Sequence, residues 1–182
     1  MKKFSITLGI IVLLIIGAWV IFLQNTKSHS PEADVAYKAN DLAIHIYYNR
    51  PYKKGREIFG SLVPYGKVWR TGANEATVFE TNKNLLFNGK TLKAGKYSLW
   101  SIPTEQNWTL IFNSEYGQWG IDFNGEANRD TKNDVFSVEA PVLIQGKEFE
   151  QFTISVENNG EELELILIWD KTLVSIPFTV AQ

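Results

Sequence analysis

Apolar residues fall along this chain in two regimes. From Phe4 to Leu23 they run on without a charge, "FSITLGIIVLLIIGAWVIFL", for 20 residues. Beyond residue 40 they come in short bursts that alternate with polar positions. The first regime predicts a helix. At about 1.5 Å per residue it reaches about 30 Å, the hydrocarbon thickness of a bilayer. The second has a period of two and predicts strands. "LAIHIYY" (42–48) sets Leu42, Ile44, Ile46 and Tyr48 on one side, and Ala43, His45 and Tyr47 on the other.

Further strands are expected at 76–81, 85–87 and 91–95, the last two flanking Asn88-Gly89, a favoured hairpin pair. Others follow at 96–103, 107–113, 134–142, 150–157, 161–170 and 172–180, with Pro177 marking an edge strand. The expectation is an all-β antiparallel sandwich or barrel of about nine or ten strands, preceded by one transmembrane helix. The divisions are an anchor (1–23), a polar linker (24–38) and a β domain (39–182).

Lys2 and Lys3 precede the apolar run, which places the N-terminus in the cytoplasm and the domain on the periplasmic or extracellular side. The run exceeds the apolar stretch of a cleaved signal, and Trp19 to Phe22 stand where a small-residue cleavage site would fall, so a retained anchor is expected. The chain has no Cys, hence no disulfides and no thiol chemistry. Removing Lys2 and Lys3 from 18 basic residues leaves 16 against 20 acids, a net of −4 that argues against nucleic-acid binding.

The longest break in the strand pattern is 49–75, "NRPYKKGREIFGSLVPYGKVWRTGANE". Arg50, Lys53, Lys54, Arg56, Lys67 and Arg70 face only Glu57 and Glu75 within it, on a domain that is otherwise acidic. Long irregular loops in compact domains are often functional. Arginine offers fork-shaped donors and Trp69 a flat apolar platform, which together suit an anion or a polyol. Arg50, Lys54, Arg56, Trp69, Arg70, Asn74 and Glu75 are the candidate ligand-binding residues, with Trp119 as a second aromatic platform. The competing reading pairs the arginines with acids of the domain and buries Trp69 in the core. Trp108 and Trp169, each in register with apolar neighbours, are expected in the core.

The stretch 49–79 resembles a bacterial family known only as a domain of unknown function, on the pattern R-P-x-x-K-G-R-x-I-F-G-x-L-V-P-Y-G-K-V-W-R-T-G-A-N-E-A-T. "FNGKTLKAGKYSLWSIPTEQNWTLIFNSEYGQWG" (87–120) and "LILIWDKTLVSIPF" (165–178) extend the likeness over roughly 40–180. The resemblance implies an exported β-rich domain, with Arg50, Lys54, Gly55, Arg56, Trp69, Arg70, Gly72, Asn74 and Glu75 on recurring positions. The chain departs from that pattern at Asn49, where Ser is usual, and in a longer polar insert at 122–134; the usual secreted form carries a cleaved leader, so the retained anchor is expected from this chain alone.

Three functions remain open. One is a binding or accessory module for a polar small molecule or glycan, using 49–75. Another is a hydrolase with Glu75 as acid or base and His45 as proton carrier, which needs a second carboxylate that residue order does not identify. The third is a structural domain whose motif staples the fold, with Arg70 turned back toward Glu75. No G-x-S-x-G or H-E-x-x-H motif occurs. No metal or cofactor is expected: zinc lacks ligands, and the oxygen-rich 122–134 segment misses the calcium-loop spacing.

Overall fold

The computed structural model describes residues 2–160 and 162–181. It opens with α1 (Lys2–His29), whose Gly9–His29 stretch is the one helix, among the described residues, long and apolar enough to cross a membrane. Nine strands follow: β1 (Glu32–Ala39), β2 (Leu42–Asn49), β3 (Thr77–Thr81), β4 (Leu85–Phe87), β5 (Lys90–Leu92), β6 (Gly95–Pro103), β7 (Asn107–Asn113), β8 (Asp134–Asn158) and β9 (Leu163–Val180). Neighbours are antiparallel throughout, in the order β1-β2-β3-β6-β7-β8-β9-β4-β5. The all-β antiparallel expectation holds.

The order turns back on itself through β8. Its first part pairs with β7 and its second with β9. Between the pairs Ile144↔Thr172 and Thr153↔Ile168, β8 advances nine residues and β9 only four. Such an excess forces a bend. Alternation then aims one side of every strand inward. Ile44, Ile46 and Tyr48 of β2, Phe79 of β3, Trp108, Leu110 and Phe112 of β7, Phe152 and Ile154 of β8, and Leu165, Leu167 and Trp169 of β9 form one buried cluster. The segment after β2 closes the open side: Tyr52 bridges Gln151, and Phe152 donates its N–H to the Pro51 carbonyl at 3.0 Å. Nearby, the Tyr48 hydroxyl accepts the Ile154 N–H at 2.8 Å.

Several boundaries differ from the expected ones. Residues 24–38, expected as a linker, complete α1 and form most of β1. As an edge strand β1 half-buries only Ala33, Val35, Tyr37 and Ala39, so its pattern is faint in the sequence. The four strands expected at 134–142, 150–157, 161–170 and 172–180 are two long bent ones; Glu161 lies outside the described residues. The gaps expected at 143–149 and at Lys171 are strand, and Asp170 takes φ +55 within β9 while the strand continues through it. Pro177 is not on an edge strand. The β8 ladder last pairs at Val174 and the β4 ladder first pairs at Phe178, so its missing N–H falls between them.

Candidate functional site

The 49–75 segment is ordered by what it buries. Ile58, Phe59 and Val63 insert into the main core, although their spacing has no strand period. Local turns hold the tip: Val63 donates to the Ile58 carbonyl at 2.8 Å and Gly60 to that of Val63 at 2.9 Å. Trp69 then forms an antiparallel bridge with Ser101 of β6. Its indole packs on Phe152 at 5.0 Å, Trp108 at 5.8 Å, Trp169 at 6.1 Å and Phe59 at 6.2 Å between ring centroids. Its Nε1 donates to the Gly72 carbonyl at 2.9 Å.

The turn beyond Trp69 is tight. Thr71 has φ +54, a strained value for a β-branched residue. It is held because its hydroxyl donates to Ser101 Oγ at 3.0 Å and its carbonyl accepts from Thr77 Oγ1 at 2.6 Å. A Cβ on Gly72 would come within 3.0 Å of the Asn49 carbonyl oxygen and 3.1 Å of Thr77 Oγ1, so only glycine fits the close approach. Asn74 Nδ2 donates to Asn49 Oδ1 at 3.2 Å, and Asn49 Nδ2 to Glu75 Oε2 at 2.9 Å. Glu75 also lies 3.6 Å from Lys27 on the last turns of α1. The expected turn of Arg70 onto Glu75 is not made as an ion pair among the described residues; Glu75 acts on Arg70 only through its field.

A cavity of about 640 Å³ opens beside this turn, a size typical of small-molecule sites. Trp69, Trp169 and Val68 supply apolar wall; Lys54, Arg56, Lys67 and Arg70 supply four cations against a single acid, Glu126. Arg70 is the most constrained of these. Its Nε and Nη1 are enclosed and have no hydrogen-bond partner among the described residues. Burial pushes its pKa down, the Glu75 charge opposing, but a guanidinium stays charged at neutral pH. Gly120 packs over its stem: a Cβ there would lie 2.5 Å from Arg70 Cδ. Arg70 thus places a cation without a close acid on the cavity wall.

The cavity thus brings together Lys54, Arg56, Trp69 and Arg70 of the candidates. Arg50 is spent elsewhere, donating through Nε to the Phe152 carbonyl at 3.1 Å and through Nη2 to Thr153 Oγ1 at 2.7 Å. Asn74 and Glu75 belong to the turn's own network, not to the lining. Trp119 is half-buried, 6.3 Å from the Phe22 ring of α1. His45 is exposed on the outer side of β2, 2.5 Å from Asp34, away from the cavity. Sequence reading did not connect Glu126 or His29 with the site, whereas its placing of Trp169 in the core holds.

The chain matches, over residues 30–178, the family model described as a protein of unknown function (DUF2911). The chain belongs to the DUF2911 family. No curated protein and no solved structure matches it. The DUF2911 region takes in all nine strand cores and the cavity, apart from His29 at its rim.

Two further features of this DUF2911 domain bear on the site. Asp122 is occupied with its own turn: Oδ1 accepts from the N–H of Asn124 at 2.8 Å and of Glu126 at 3.1 Å, and the first of these chiefly holds its carboxyl below the usual range. Lys53 clasps the β8–β9 bend, 2.7 Å from Asp170 and 2.9 Å from Glu148. The Lys53 hydrogen bond holds the Glu148 carboxyl below its ordinary 4.5. A carboxyl lowered on folding stabilises above its unfolded pKa, and the benefit fades as pH falls through the folded value. Lys53→Met is therefore expected to flatten the acid-side loss of stability below about pH 4.5, read as melting temperature against pH; an unchanged profile would show that the clasp is not formed in solution.

Proposed function

We propose that this chain is a membrane-tethered binding module that takes a polar small molecule or sugar unit bearing a negative charge, with the domain on the extracytoplasmic side. The observation that carries the reading is Arg70, whose Nε and Nη1 have no hydrogen-bond partner among the described residues, on the wall of a cavity that also presents Lys54, Arg56 and Lys67. The part of Arg70 that reaches the cavity brings its charge to an anion held there. The half-buried ring of Trp69 offers an apolar surface to the non-polar face of the same ligand. Glu75 and His45, the two candidate proton carriers, lie outside the cavity, and the geometry favours binding over hydrolysis.

Ligands that bind only the native state raise stability by mass action, about 2.7 kcal/mol at a hundredfold excess over Kd. Glucuronate and inorganic phosphate are expected to raise the melting temperature of the full chain in detergent micelles, and glucose is not. Equal response to all three, or to none, would remove the anion from the proposal.

A further inference from the structure

The site sits where the chain meets the membrane, and this suggests the source of its anion. Resting on the binding reading above, we propose that the cavity receives the anionic headgroup of a phospholipid from the bilayer that α1 crosses, while the acyl chains stay in the membrane.

Position comes first. His29 and Ser30, at the end of α1, form part of the cavity wall. If Phe4 to Leu23 fill the hydrocarbon layer, the six residues 24–29 rise about 9 Å beyond it. The headgroup layer on each side is about 5–8 Å thick. The cavity wall therefore begins at the outer edge of the headgroups, within reach of a phosphodiester.

A second observation concerns depth. Trp119 lies 6.3 Å from Phe22, near the end of the apolar run, which brings Trp119 to the depth of the membrane interface. Tryptophan favours that depth. Its neighbour Gly120 packs directly on Arg70, which ties the interface to the cavity. Phe123, at the tip of the turn that supplies Ile121 and Glu126 to the lining, is fully exposed. Leu62, also in the lining, is 44% exposed. Exposed apolar side chains at the rim of a cationic cavity suit a surface that inserts shallowly among lipids.

Charge completes the case. The domain is net acidic, yet the cavity gathers Lys54, Arg56, Lys67 and Arg70. Basic groups near a bilayer attract anionic lipid, and an enclosed guanidinium discriminates phosphate geometry beyond that general attraction. A free phosphate compound would satisfy the same donors, so the experiment must separate the two sources.

Full-length protein would be placed in nanodiscs of phosphatidylcholine alone or with phosphatidylglycerol, and the lipids retained would be counted by native mass spectrometry. Retention of one phosphatidylglycerol is expected, reduced at least tenfold by Arg70→Met. Phe123→Ser is expected to lower retention while leaving the thermal response to inorganic phosphate intact. Melting curves in the same discs verify that both variants fold. Equal retention by wild type and Arg70→Met would mean general surface attraction and would overturn the proposal. No retention, with phosphate still stabilising the protein, would overturn the lipid source and leave the binding reading standing. Failure of both probes would end both.

Discussion

Arg70→Met is expected to raise the melting temperature of the protein and to weaken anion binding at least tenfold in the same variant. The two effects share one cause. In the free protein the guanidinium is held largely out of water, with Nε and Nη1 enclosed and unpartnered. Glu75 opposes that penalty only at a distance, because its carboxylate is engaged by Asn49 and Lys27. A buried charge without a close partner is destabilising, and its replacement by an apolar side chain of similar length is neutral or favourable. Discounting for the part of Arg70 that reaches accessible space, the gain is about 1–2 kcal/mol. That corresponds to about 3–6 °C for a domain of this size. Loss of a charge-assisted hydrogen bond to ligand costs about 1.5–3 kcal/mol, roughly ten- to a hundredfold in affinity. Thermal unfolding and titration calorimetry with glucuronate on the same preparation would measure both. A variant that melts lower and binds normally would identify Arg70 as part of the scaffold.

Trp69→Ala should have the opposite character: a loss of about 3–5 kcal/mol, typical of a large aromatic removed from a packed site. Trp69 is where the main core, the cavity and the 71–77 turn meet. Its ring touches four other aromatic rings, and its Nε1 holds the Gly72 carbonyl on which the turn depends. Removing the indole leaves a void among Phe59, Trp108, Phe152 and Trp169 and frees the strained Thr71 backbone to relax. A melting temperature lower by roughly 10 °C is expected. Trp69→Phe, which keeps a ring and loses the hydrogen bond, should cost about 1 kcal/mol. If both variants lost equally little, the 49–75 segment would not be fastened through this residue.

These two neighbours illustrate how staple and site coexist. Arg50 and Trp69 fasten the segment, one to the β8 backbone and one to the aromatic cluster. Arg70 is left over, enclosed by the fastening. The two arginines look alike in the sequence, both basic and both within the irregular stretch. Their roles separate only because Phe152 and Thr153, about a hundred residues away, meet Arg50 and nothing equivalent meets Arg70.

The sequence by itself determined the apolar helix, the all-β class and the inward face of the clearest strands. Each of these rests on local periodicity: Leu42, Ile44, Ile46 and Tyr48 alternate, and all four are buried. It also marked the basic stretch from which the cavity draws most of its cations. Tertiary structure decided the rest. Edge strand β1 buries too little to write a strong pattern. The bends in β8 and β9 look like strand ends until their partners are seen. Which cations gather and which are spent depends on acceptors brought from distant strands. Periodicity records how a residue faces its own element; a cavity is made by what several elements leave uncovered, and no local pattern encodes that.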